Sequence, residues 1–294
     1  MKKLIAIFLV LFSVAAFSQT LYSGSIGKYP IQINIHYYPH KDKYAAVYAY
    51  DKQDTPLNMD GYMEDKDLIL ERYEKTPNSR HEKLVESLRL KNFDFKEKQI
   101  YGSWIDEVTG KDLTLTLSQT FHTIEPENSD WAEREFLQST SAKDVYFKIA
   151  YKKPQQGKLA RASKIKVLEK VTDKILHEFQ IDCKLLRMSN ISVEDYNFDG
   201  LEDFSCFKEE DQNIYFLRDP KTLKYYRSTF LETYLRFDQK KKTIEEVKTL
   251  CKDKLDVHFV YKLVNNEMVL IKKFTTSYDP KTDRWVETSF GGCK

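Results

Sequence analysis

The sequence has little glycine and no excess of charge of either sign. Only 9 of the 294 residues are glycine, whereas tyrosine and phenylalanine number 19 and 18. Basic and acidic residues number 47 and 45, so the charge balance gives no reason to expect a nucleic acid or an acidic membrane as a partner. Scarce glycine and abundant aromatic residues favour strands over linkers or disorder.

The common signatures of enzyme active sites are missing as well. The sequence contains no GxSxG nucleophile elbow, no HExxH zinc motif, no glycine-rich phosphate loop and no dinucleotide fingerprint. Its 45 acidic residues offer too many pairs to single out two carboxylates for glycoside hydrolysis. We therefore predict a binding protein that is not an enzyme.

The chain has a long apolar run only at its start. Lys2 and Lys3 precede the apolar residues 4–12, and the small residues Ala16 and Ser18 stand before a plausible cleavage point. This pattern predicts a secretory signal peptide over residues 1–18. A membrane anchor is the alternative, but the run is short for a bilayer and no stop-transfer charges follow it. The mature protein is expected to be soluble, in the periplasm or secreted.

Cysteine is absent before residue 183, and four cysteines follow: Cys183, Cys206, Cys251 and Cys293. An even number in an exported chain predicts disulfides, with three alternative pairings. Joining Cys183 to Cys206 and Cys251 to Cys293 closes the shortest loops, but spacing alone does not select this pairing. A zinc site is disfavoured because no CxxC pair occurs and no histidine stands at ligand spacing.

Alternation of apolar and polar residues with a period of two recurs along the chain and indicates half-buried strands. Ile31, Ile33 and Ile35, for example, fall on one face. The fold class predicted is mainly β, with two antiparallel barrel or sandwich domains. The N-terminal domain is expected over residues 19–122, a connection over 123–143, and the C-terminal domain over 144–294.

Several segments are assigned with less direct signals. Residues 164–181 fit either a helix or a hairpin, and the turn-forming pair Thr172-Asp173 favours the hairpin. Residues 257–274 predict a second hairpin, with its turn at Asn265-Asn266. Short helical stretches are expected at 131–137 and 229–237. The segment Gln239–Lys242 is interpreted as a solvated turn, with an acidic partner surface as the alternative.

The strongest local motif is DYNFDGLED, residues 195–203. Side-chain oxygens occur at its positions 1, 3, 5 and 9, which are Asp195, Asn197, Asp199 and Asp203. Gly200 permits a sharp turn, and the carbonyl of Leu201 is expected to point inward. Calcium prefers six to eight hard oxygen ligands, and this spacing supplies them from one loop. The motif therefore predicts a structural calcium site, with an ion-free turn as the alternative. Position 12 is Cys206 rather than glutamate, so the loop is not a full EF-hand.

The span from Ile181 to Phe274 resembles the XAC2610-related family of exported bacterial proteins. The resemblance rests on SVEDYNFDGLEDF, IYFLRDPKTLKYY, KTIEEV and VYKLVNNEMVLIKK, of which NFDG with its flanking acids is the specific part. Members of that family carry a calcium loop and have a β-fold similar to the periplasmic lysozyme inhibitors. The resemblance implies the same five ligands, Asp195, Asn197, Asp199, Leu201 and Asp203, and a β-domain ahead of them from Gly27 to Leu117.

A lysozyme-like enzyme or another envelope protein is the partner that this resemblance implies. Lysozyme inhibitors use a serine–glycine loop followed closely by tyrosine, and the predicted second domain has no such loop. Two other functions remain open: a carbohydrate-binding module or hydrolase of the envelope, and a structural envelope protein. Trp104 is expected to pack the first core, with a sugar-stacking platform as the alternative.

Overall fold

The computed structural model describes residues 18–51, 53–76, 81–122, 131–153, 161–184, 190–209, 212–229, 231, 233, 235–250, 255–265, 267–279 and 281–288. Residues 1–17 of the signal peptide predicted over 1–18 lie outside these ranges, as do Cys251 and Cys293, whereas Ser18 begins the first strand. The chain divides into two compact units, one within residues 1–53 and 57–129 and the other within 54–56 and 130–294. Across the described ranges no helix is long and apolar enough to cross a membrane.

The first unit is a closed barrel of eight antiparallel strands, and each strand pairs with the next along the chain. The strands are β1 Ser18–Ile26, β2 Tyr29–Tyr38, β3 Lys43–Tyr50, β4 Gln53–Glu64, β5 Asp67–Lys75, β6 Glu82–Leu90, β7 Gln99–Asp106 and β8 Lys111–His122. A single 3-10 turn, Pro39–Lys41, joins β2 to β3. Pairing of β1 with β8 closes the barrel, with Gly24 opposite Leu117.

The barrel interior is filled by the apolar residues of the period-two pattern. Ile31, Ile33 and Ile35 are at most 1% exposed and join one core cluster with Leu88 and Leu90. Burying each such side chain contributes about 1.5–3 kcal/mol relative to leaving it in water. The alternation visible in the sequence is therefore what selects the face of each strand that lines the barrel.

Glycine at position 102 allows two strands of the barrel to approach closely. A Cβ atom placed on Gly102 would lie 1.9 Å from the carbonyl oxygen of Arg89 on the neighbouring strand. Trp104, two residues further along β7, packs against the barrel core. This position agrees with the packing role expected for Trp104.

The described residues of the second unit form three antiparallel sheets. The first has the strand order β12-β11-β10-β9, formed by β9 Trp131–Ser141, β10 Val145–Lys153, β11 Arg161–Glu169 and β12 Ile175–Lys184. The second consists in order of β13 Ile191–Glu194, β14 Asp203–Glu209, β15 Gln212–Arg218 and β16 Tyr225–Arg227. The third consists of β17 Leu235–Asp238, β18 Thr243–Leu250, β19 Leu255–Val264, β20 Glu267–Asp279 and β21 Arg284–Thr288.

The mainly β fold class predicted from the sequence is confirmed, as are both hairpins. Strands β11 and β12 pair with Ile165 opposite Phe179, and β19 pairs with β20 with Leu263 opposite Met268.

The expected helix at 131–137 is wrong, because these residues belong to β9, where Phe136 lies opposite Ile149 of β10. Strand β9 therefore lies inside the predicted connection 123–143 and belongs to the second unit. Residues 235–237 of the other expected helix lie in β17. Both strands are held by pairing with a neighbour, which their own polar sequences do not reveal.

Phe204 stands at the centre of the aromatic core where the first two sheets of the second unit pack. Its ring is fully buried and lies 4.8 Å from the ring of Phe147 and 4.5 Å from that of Phe216. Phe179 and Tyr225 complete the cluster. Since Phe204 directly follows Asp203, this core fixes one end of the predicted calcium loop.

Candidate calcium loop and adjacent cleft

The predicted calcium motif forms the connection between β13 and β14. Strand β13 ends at Glu194 and β14 begins at Asp203, so all five predicted ligands lie on this connection or at its end. Two residues turn the chain through positive φ angles, Phe198 at 63° and Gly200 at 90°. Glycine tolerates this conformation without the strain that a Cβ atom causes.

Three of the predicted ligands hold the loop together through backbone N–H groups. The carboxylate of Asp195 accepts from the N–H of Asp199 at 3.1 Å and from that of Gly200 at 2.8 Å. Asn197 Oδ1 accepts from the N–H of Asp199 at 3.2 Å, and Asn197 Nδ2 donates to Asp199 Oδ2 at 2.9 Å. Leu201 donates its N–H to Asp199 Oδ1 at 2.8 Å. The loop is therefore a series of side-chain turns in which side-chain oxygens accept backbone N–H groups.

Asp203 differs from the other acids because it is fully buried. Its Oδ2 accepts from the N–H of Tyr196 at 2.9 Å and its Oδ1 from the N–H of Arg218 at 2.7 Å. Burial raises the pKa of Asp203 to about 7, and the charges of Asp199 and Asp195 add to the rise against the lowering effect of the two donors. A cation in the loop would favour the ionised carboxylate instead.

The donor set is chemically suited to calcium, which binds hard oxygen atoms. Every side-chain ligand is a carboxylate or an amide oxygen, and an oxygen that accepts one N–H keeps a second lone pair. Within the described residues, no three acidic, histidine or cysteine side chains converge on one point as a metal site. The fold thus brings the five predicted residues into one loop, where their acidic oxygens are engaged by N–H groups.

The turn between β17 and β18 supports the loop from the neighbouring sheet. Gln239 Nε2 donates to Glu194 Oε1 at 2.9 Å and to the Asp195 carbonyl at 2.8 Å. Lys242 Nζ donates to the Phe198 carbonyl at 3.2 Å. The sequence interpretation of this turn as solvated missed both contacts, and no local signal in QKKK indicates them.

Strands β17 and β18 form a hairpin around this turn, and the hairpin is one wall of a cleft of about 420 Å³ in the third sheet. The cleft is lined by Arg236, Phe237, Asp238, Lys241, Thr243, Glu245, Val260, Ile271, Lys272 and Phe274. Phe237 also packs on Tyr196 of the loop, with ring centroids 4.7 Å apart. The hairpin of β17 and β18 therefore lines the cleft and also contacts the loop.

The charged side chains around the cleft differ in how closely neighbouring groups hold them. The side chains of Arg236, Lys241 and Lys272 are 62%, 77% and 56% exposed, and each lies 3.2–4.0 Å from an acid. Asp238 Oδ1 accepts from two backbone N–H groups of its own turn, and Glu245 Oε1 lies 2.8 Å from the ring of His258. Exposed pairs of this kind contribute little, so the three cationic heads can be offered to an anionic ligand.

Glu245 also belongs to a chain of polar groups across three strands of the third sheet. His258 Nδ1 lies 2.8 Å from Glu245 Oε1, and His258 Nε2 lies 2.8 Å from Thr276 Oγ1. The His258 side chain is 11% exposed, and its ring stacks on that of Phe274 with the centroids 4.4 Å apart. A hydroxyl, an imidazole and a carboxylate in this order can transfer a proton, and they also satisfy a nearly buried histidine.

Comparison with known proteins gives little. The sequence matches no protein-family model and no curated protein. Among solved structures, a Xanthomonas protein related to a type IV secretion system matches at 14% identity and a TM-score of 0.29, over 68% of this chain and 98% of that chain. A candidate 6-phosphogluconolactonase from Bacteroides uniformis matches at 11% identity and a TM-score of 0.27, over 86% and 94% of the two chains. A second one, from Bacteroides fragilis, matches at 8% identity and a TM-score of 0.24, over 87% and 94%. At TM-scores this low the likenesses carry no argument about activity.

Proposed function

We propose that this chain is an exported calcium-binding β-protein that acts as a binding or inhibitor-like protein of the cell envelope. The observation that carries the proposal is the loop at residues 195–203, whose side-chain oxygens accept its own backbone N–H groups and whose backbone is held by the hairpin that also lines the cleft. Calcium would be held by Asp195, Asn197, Asp199, Leu201 and Asp203. There it would neutralise the loop carboxylates and fix the corner between β13 and β14. Membership of the XAC2610-related family is part of this proposal and rests on the sequence motifs.

The cleft is the surface proposed to meet the partner. The rings of Phe237 and Phe274 line the cleft together with Arg236, Lys241 and Lys272, and Lys272 Nζ lies 4.2 Å from the centroid of the Phe274 ring. Such a surface complements an acidic, partly apolar partner. Glycoside hydrolases carry a pair of carboxylates at their active sites, so a lysozyme-like enzyme offers the chemistry that these cations would recognise.

A binding experiment with matched charge reversals tests this function. The chain from residue 19 is immobilised and exposed to lysozymes of several types in calcium and in EDTA, with retention and inhibition both measured. We expect Arg236→Glu and Lys272→Glu to abolish retention. Lys240→Glu is the control, because Lys240 is exposed on the same hairpin but does not line the cleft. Absence of retention and of inhibition by any lysozyme type would remove the lysozyme-directed form of the proposal.

A hydrolase of the envelope is the second candidate, favoured by the Thr276–His258–Glu245 chain alone. Turnover of envelope glycans or esters by the wild type that is lost in His258→Asn would support it. Equal activity in both proteins, or none in either, would count against it. A purely structural envelope protein, the third candidate, would bind calcium and none of the lysozymes or glycans.

A further inference from the structure

Two of the four cysteines face each other inside the second unit. Cys183 lies near the end of β12 and Cys206 lies in the middle of β14, so they belong to different sheets. Their Sγ atoms are 4.0 Å apart, and both side chains are fully buried. Sequence spacing left three pairings open, and this contact favours one of them.

The approach of the two sulfurs is close enough for a bond. A disulfide requires its sulfurs at about 2.05 Å, and thiols already in contact can reach this separation by small side-chain rotations. The two groups also influence each other: contact with Cys206 lowers the pKa of the Cys183 thiol, while that contact and burial raise the pKa of Cys206.

We propose that Cys183 and Cys206 form a disulfide that joins the first and second sheets of the second unit. The thiolate of one of the two cysteines attacks a mixed disulfide formed at the other by a thiol–disulfide exchange protein of the exporting compartment. The new S–S bond forms as the mixed disulfide breaks. Overall the two thiols lose two protons and two electrons, and the exchange protein is reduced from a disulfide to a dithiol. Because both sulfurs are buried, the reaction takes place before the second unit is fully packed.

The position of this bond in the chain ties it to the predicted calcium loop. The two cysteines are 23 residues apart, and the segment between them contains β13 and the whole of residues 195–203. A disulfide restricts the unfolded chain within the ring that it closes. The cross-link therefore confines the segment that carries the loop, whether or not an ion is bound.

Peptide mapping of the exported, unreduced protein tests the pairing. Free thiols are blocked with an alkylating agent in denaturant, the protein is digested at acidic pH, and the peptides are identified by mass spectrometry. We expect one peptide pair that joins Cys183 to Cys206. Alkylated Cys183 and Cys206, or a link from either one to Cys251 or Cys293, would overturn the proposal.

A stability measurement with two double variants provides the second arm. Cys251→Ser with Cys293→Ser leaves the proposed pair alone, whereas Cys183→Ala with Cys206→Ala removes it. Melting in EDTA with and without a reductant should lower the melting temperature of the first variant by on the order of 5–10 °C. In the second variant, any effect of the reductant reports only on a bond between Cys251 and Cys293. The use of EDTA makes this result independent of the calcium proposal. No effect of reductant on the first variant would contradict the proposed bond.

Discussion

Removal of the negative charge of Asp199 is the most direct test of the proposed calcium loop. Asp199→Asn keeps an oxygen to accept the N–H of Leu201 but removes one of the negative charges of the loop. Extracellular calcium modules bind with a Kd of about 10⁻⁴–10⁻³ M. At 10 mM calcium, an ion bound only by the folded state then contributes about 1.4–2.7 kcal/mol to the free energy of unfolding. At about 2–4 °C per kcal/mol, the melting temperature of the wild type should rise by about 3–11 °C.

Differential scanning calorimetry measures this rise, in EDTA and in 10 mM calcium. We expect it in the wild type, in the transition of the second unit, and expect it to be lost in Asp199→Asn. Asp219→Asn is the matched control, because Asp219 also accepts two backbone N–H groups in an exposed turn of the second unit but stands outside the loop. An equal rise in the wild type and in Asp199→Asn would refute the assignment of this ligand. A wild type without a rise would refute the site.

Three further predictions concern other features. A calcium ion held by Asp203 would need its ionised form, and this carboxyl has a raised pKa of about 7. Calcium affinity should therefore fall as the pH is lowered through 7, and calorimetric titration at pH 6 and pH 8 measures the change. In EDTA the sign reverses: folding binds the proton of Asp203 above its unfolded pKa, so the free energy of unfolding should decrease as the pH rises from 4 to 7. Phe204→Ala should cost about 3–5 kcal/mol in denaturant unfolding, because it opens a cavity among four rings, and a cost below 1 kcal/mol would mean that the core collapses around it. Gly102→Ala should destabilise the barrel by about 1–3 kcal/mol through the contact with Arg89, and an unchanged unfolding midpoint would contradict the close approach.

Local patterns in the sequence predict the strands better than they predict pairing. The alternation at Ile31, Ile33 and Ile35 correctly indicates one buried face, because a half-buried strand must alternate. The barrel closes only when β1 pairs with β8, and the local sequence of neither strand indicates that the other is its partner. Strand β9 was missed for the same reason, since its pairing with β10 overrides a polar local sequence.

In the candidate site, too, the sequence predicts the local loop but not the contacts that distant residues make with it. The spacing of Asp195, Asn197 and Asp199 predicts one loop, since its residues lie within a few positions of each other. The contacts of Gln239 and Lys242 with this loop come from a turn more than 40 positions away. Lysine and glutamine in a turn are ordinarily solvated, so only the fold reveals that these two donors satisfy loop carbonyls.

The seam between β1 and β8 determines when the first unit can finish folding. Thr20 and His122, which are hydrogen bonded across this seam, are 102 positions apart in the chain. Contacts between such distant residues form slowly, because the chain must close a long loop before it gains from them. Strand β1 is the first of the eight to be synthesised, and its pairing with β8 can form only after the last strand has been synthesised. Until β8 arrives, the chain exposes two unpaired strand edges on which other chains can pair.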